Sequence, residues 1–125
     1  MFVKLKVRPK VKTVLKMTPE EVYKNLVNQG GPSATLGGEG DRVFCRYRGP
    51  NGRKCAAGWR IPDEEYDPNM EGVNVSAIGL NDFEIELMQE AHDRAANASL
   101  RYGMDWEETL RANWRNCNLP LPEVE

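Results

Sequence analysis

Between Cys45 and Gly72 the chain is punctuated too often for a long helix or strand to cross it. Gly49-Pro50-Asn51-Gly52 reads as a turn, and Gly58 and Pro62 break the chain beyond it. This stretch admits only a short hairpin over 42–60 and a loop over 61–80. Arg42 to Arg48 (RVFCRYR) is rich in aromatic and β-favouring residues, and Arg53 to Trp59 (RKCAAGW) is predicted to be its antiparallel return. Helices must lie outside this stretch.

Three helix starts do. Thr18-Pro19-Glu20-Glu21 combines a cap, a proline at the first helical position and the acid of a capping box, with Met17 and Val22 spaced as a hydrophobic staple. It predicts a helix over 18–30, ended by Gly30-Gly31. Asn81 and Glu84 repeat that chemistry and predict a helix over 81–98, with Ile85, Met88, His92 and Ala95 on one face. Asp105 caps a third over 105–117, where Trp106, Leu110, Trp114 and Cys117 recur at helical spacing. At the N-terminus Val3, Leu5 and Val7 alternate with Lys4, Lys6 and Arg8, the period of a half-buried strand within a basic segment over 1–16. Residues 31–41 hold glycine and proline enough to read as a flexible loop. The expectation is one α+β domain over 1–125, a small antiparallel sheet with a central β-hairpin packed against about three helices.

The net charge of −2 conceals an asymmetry, because residues 1–16 carry six cations and no acid. A basic leader of this kind suits an acidic partner or nucleic acid, but the solvated face of a strand explains it as well, and nucleic acid is the less favoured partner. No apolar run reaches membrane-spanning length and no signal-peptide core can be drawn, so a cytoplasmic protein with reduced cysteines is expected.

Candidate chemistry is sparse. Cys45, Cys55, His92 and Cys117 could together hold zinc, but they lack the two-to-four-residue knuckles of such sites. Buried, unreactive thiols and a packed core histidine are the simpler expectation. Asp67 to Gly72 imitates half of a calcium loop, but Ile78 stands where the bidentate glutamate belongs. Gly37-Gly38-Glu39-Gly40 lacks the lysine and hydroxyl of a phosphate loop. No cofactor motif and no catalytic set is visible. What remains is charge. Arg46, Arg48, Arg53 and Lys54 lie on the hairpin, and Asp63, Glu64, Tyr66 and Glu71 on the loop behind it. Alternation predicts Arg46 and Arg48 outward and Tyr47 inward. The arginines then either meet an anionic partner or pair with the 63–65 acids.

The same stretch carries a resemblance. Gln29-Gly30, Ser33, Cys45, Tyr47-Arg48, Gly52, Cys55-Ala56, Gly58, Ile61-Pro62-Asp63, Tyr66 and Glu71-Gly72 resemble a motif in a family of small uncharacterised proteins of tailed bacteriophages and bacteria. The resemblance implies a phage-type accessory protein acting in the host cytoplasm, with no activity attached. The expected function is non-catalytic: binding, and so inhibiting or redirecting, a host protein of defence or gene expression. Two alternatives stand beside it. One is a protein that sequesters a nucleotide or other anionic small molecule with its arginines. The other is a metal-dependent enzyme using the acidic loop.

Overall fold

The computed structural model describes residues 9–37 and 42–122. Helix α1 spans Pro19–Asn28, strands β1 and β2 span Ala34–Gly37 and Arg42–Cys45, and helices α2 and α3 span Phe83–Tyr102 and Trp106–Asn116. The strands pair antiparallel, with Ala34 opposite Cys45 and Gly37 opposite Arg42. Short 3-10 turns at Pro50–Gly52, Gly58–Arg60, Asp63–Glu65 and Pro68–Met70 link β2 to α2. The fold is α+β, a small antiparallel hairpin with three helices, and the hairpin lies on α2.

The hairpin is not where the turn at Gly49–Gly52 places it. Strand β2 pairs with the segment before it, and 53–59 never becomes a strand. That segment coils on itself, with Trp59 N–H donating to the Cys55 carbonyl (3.1 Å) and Arg60 N–H to that of Ala57 (2.9 Å). Gly58 lies so near β2's continuation that a Cβ there would overlap the Tyr47 carbonyl oxygen. A side-chain-bearing return strand has no room there. The supposed loop 31–41 supplies β1 instead, because Ala34 can be buried beneath it. Its last residues, 38–41, lie outside the described residues.

The strand expected over 1–16 falls mostly on residues 1–8, which also lie outside. Residues 9–17 form no strand but are strapped down irregularly. Val11 N–H donates to the Ile78 carbonyl (2.7 Å), Leu15 N–H to that of Arg60 (2.8 Å), and Glu65 Oε1 accepts the amides of Lys12 and Thr13 (2.5 and 3.0 Å).

The caps follow their chemistry. Thr18 Oγ1 accepts Glu21 N–H (3.2 Å) while Glu21 Oε1 accepts Thr18 N–H (3.0 Å), a complete capping box. The cap of α2 is Asp82 rather than Asn81, its carboxylate accepting the amides of Glu84 (2.8 Å) and Ile85 (3.3 Å). A charged acceptor at the positive end of the helix outcompetes the neutral amide one residue earlier. Helix α2 runs on to Tyr102, past the expected 98, and stops where Gly103 takes a left-handed φ of 66°. Asp105 caps α3 through Glu108 N–H (3.0 Å). The core gathers Leu26, Ile61, Ile78, Met88, Leu110 and Trp114, all fully buried. Trp106 Nε1–H, donating to the Leu26 carbonyl (2.8 Å), ties α3 to α1.

Asp105→Ala and Asp82→Ala are each expected to lower stability by about 1 kcal/mol in urea unfolding. Asn81→Ala should leave the midpoint in place, and the opposite ranking of Asp82 and Asn81 would reassign the α2 cap.

Candidate functional site

The loop between β2 and α2 has little regular backbone pairing, so its peptide groups need other partners. Two charged side chains supply them. The Arg48 guanidinium donates through Nη1 to the carbonyls of Tyr47 (3.1 Å) and Gly58 (2.8 Å), and through Nη2 to that of Ile61 (2.8 Å) and to Asp63 Oδ1 (2.9 Å). It also stacks 4.9 Å above the Tyr66 ring. Glu71 does the converse, accepting Tyr47 N–H (2.9 Å), Arg48 N–H (3.0 Å) and the Tyr66 hydroxyl (2.6 Å). Burial first, and then the Glu71 carboxylate, push the Tyr66 hydroxyl up to about 12.

This corrects the expected outward display of Arg48, whose side chain is only 18% exposed. Strand β2 ends at Cys45 and the chain bends at Tyr47 and Arg48, so alternation no longer governs direction. Tyr47 is buried as expected, its hydroxyl donating to the Val73 carbonyl (2.5 Å). Asp63 also meets the Lys54 ammonium at 3.4 Å, and the hydrogen bond from Arg48 leads the effects that hold its carboxyl below the usual range.

Five of the eight charge-rich candidates thus form one internal network: Arg48, Lys54, Asp63, Tyr66 and Glu71. Arg53 is spent elsewhere, its Nε donating to the Gln29 carbonyl (3.3 Å). Arg46 and Glu64 are exposed. The four hairpin cations therefore do not converge on one point. The acidic loop is equally dispersed, with Asp63 on Arg48, Glu65 on the leader, Asp67 on Asn69 N–H (2.8 Å) and Glu71 on its three donors.

Among the described residues the one metal-type group is Cys45, His92 and Asp93, whose donor atoms lie within 4.8 Å of one another. Cys55 and Cys117 are not part of it. The group lies at a cleft of about 390 Å³, which Cys45, Tyr47, Cys55, Val73, Gln89 and Asp93 help to line. Fully buried His92 settles its chemistry. Its Nε2 accepts the Ser33 backbone N–H (3.1 Å), so the ring proton resides on Nδ1 and points at Asp93 Oδ1 (2.9 Å). Neither nitrogen then offers a lone pair to a metal ion or to the Cys45 thiol. Burial, and secondarily Asp93, push that thiol far up, and the same two causes raise Cys55 to about 12. These are packed thiols around a satisfied histidine, without an activated nucleophile. Asp93 was not among the expected site residues, although its spacing of four from Gln89, whose Nε2 donates to it at 2.7 Å, is a local signal along the helix.

A different surface emerges on the hairpin. Phe44 faces outward, 47% exposed, between exposed Arg42 and Arg46. Among the described residues neither arginine forms an ion pair. Among the described residues the Arg46 side chain hydrogen-bonds only Thr35 Oγ1, at 3.4 Å. Arg42 and Phe44 are legible in the sequence as the alternate positions that precede Arg46 on the outward face of the strand. No family model, curated protein or solved structure matches the chain.

Glu71→Gln leaves donors facing an amide NH₂ and is expected to cost about 2 kcal/mol in urea unfolding, whereas Glu64→Gln should leave the midpoint unchanged. Long-range ¹H–¹⁵N spectra of His92 should show the Nδ1–H tautomer. An Nε2–H tautomer would restore the ring as a metal ligand.

Proposed function

We propose that this is a non-catalytic binding protein whose outer hairpin face docks on an acidic surface of another protein. The observation that carries this reading is Phe44 displayed between Arg42 and Arg46. An exposed aromatic between cations offers apolar contact and charge-assisted hydrogen bonds in one patch. Arg48, Arg53 and Lys54 are engaged inside the fold and contribute nothing comparable. The phage-type motif supports a host protein as the partner and the host cytoplasm as the setting. Consistent with this, no helix among the described residues is long and apolar enough to cross a membrane. The nucleotide alternative loses support because its cations do not converge, and the metal-enzyme alternative because the loop carboxylates each serve a different partner.

The test compares the protein with Arg42→Glu/Arg46→Glu, using quantitative capture from host lysate and then titration calorimetry on the captured protein. Affinity should fall at least about tenfold, or 1.4 kcal/mol, with stability changed by less than about 1 kcal/mol. Equal affinity in a folded variant removes the hairpin face from the interaction.

A further inference from the structure

A second concave surface lies between α1 and α3 and shares no residue with the hairpin face. Its volume is about 280 Å³, and Tyr23, Val27 and Leu121 supply apolar lining. Its third wall is fixed in place. Trp114 Nε1–H donates to the Pro120 carbonyl (3.0 Å) and Leu119 N–H to the Trp114 carbonyl (3.0 Å), which folds residues 119–122 back along α3. Tyr23 is seated against the Trp114 ring, 5.7 Å between centroids. The groove is preformed, because each wall rests on the buried Trp114.

Its charge runs against that of the chain. Lys24, Arg111 and Arg115 line the groove, all exposed, and among the described residues Glu107 is its one acid. Glu107, Arg111 and Arg115 follow at intervals of four, so one α3 stripe faces the groove. Arg111 meets Glu107 only at 3.7 Å, and its Nε reaches the Tyr23 hydroxyl at 3.4 Å. The groove thus has a cationic excess in a chain whose net charge is −2. An apolar floor beneath cations suits an occupant that is apolar at its centre and anionic on both sides.

We propose that this groove is a docking site for an acidic segment of a partner protein, anchored by one aliphatic side chain between Tyr23, Val27 and Leu121. Its carboxylates meet Lys24, Arg111 and Arg115. Nucleic acid fits less well, since Tyr23, the aromatic of the floor, is buried against Trp114 and leaves little ring face for a base, and Glu107 stands on the rim.

The probe is the peptide acetyl-Glu-Leu-Glu-Glu-Leu-amide, titrated into the ¹⁵N-labelled full chain. Saturable shifts are expected at Lys24, Val27, Arg111 and Arg115, with Kd below about 1 mM, a range usual for short peptides. The glutamine counterpart should bind at least tenfold more weakly. So should the acidic peptide to Lys24→Glu/Arg115→Glu, a variant whose unfolding midpoint should not move. Arg42→Glu/Arg46→Glu should keep the full response, which separates this site from the hairpin reading. The proposal is overturned by an absent or non-saturable response, by equal binding of the glutamine peptide, or by shifts spread alike over Lys10, Lys12, Arg42 and Arg46. Tighter binding of a thymidine octamer at the same residues would overturn it in favour of nucleic acid.

Discussion

The structure between the hairpin and α2 depends on a reciprocal clasp. Arg48 gathers carbonyl oxygens, and Glu71 gathers the amides of Tyr47 and Arg48. Each side chain replaces hydrogen bonds that a sheet would have provided, and charge-assisted bonds are the strong kind. Because the two meet through the same backbone corner, losing either leaves peptide groups without partners in a partly buried loop. This explains how a segment with four isolated 3-10 turns can hold one shape.

A second tie joins that segment to the helices. His92 accepts the Ser33 amide at the entrance to β1, hydrogen-bonds Asp93 and lies edge-on to Trp106 at 5.7 Å. Gln89, on the same helix, accepts Ala57 N–H (2.8 Å) and donates to Asp93 (2.7 Å). One face of α2 thus anchors the hairpin and the 53–60 coil through a polar network, while Ile85, Met88 and Ala95 bury the rest. A satisfied buried network fixes a single arrangement where apolar packing alone would tolerate several.

These ties also explain which charges remain for partners. The fold consumes Arg48, Arg53, Lys54, Asp63 and Glu71, so local density of charge in the sequence is a poor guide to a binding surface. Among the described residues the exposed cations outside those ties include Arg42 on β2, Arg46 just beyond it, Lys24 on α1 and Arg115 on α3, together with Lys10, Lys12 and Lys16 of the irregular N-terminal segment.

The helices were legible in the amino-acid sequence because their signals are local. Thr18 with Glu21, and Asp105 with Glu108, act within one turn, and the apolar spacing of Ile85, Met88 and His92 fixes which face is buried. The inward direction of Tyr47 was legible in the same way. The partner of β2 was not. Two segments flank that strand, and the choice turned on room beside Tyr47 and burial of Ala34 against α2, contacts between residues far apart in sequence. Long-range contacts also assigned the roles of Arg48 and Glu71. A charged side chain reads identically in a sequence whether it faces water or replaces a missing backbone hydrogen bond, and only the fold shows which peptide groups lack a partner.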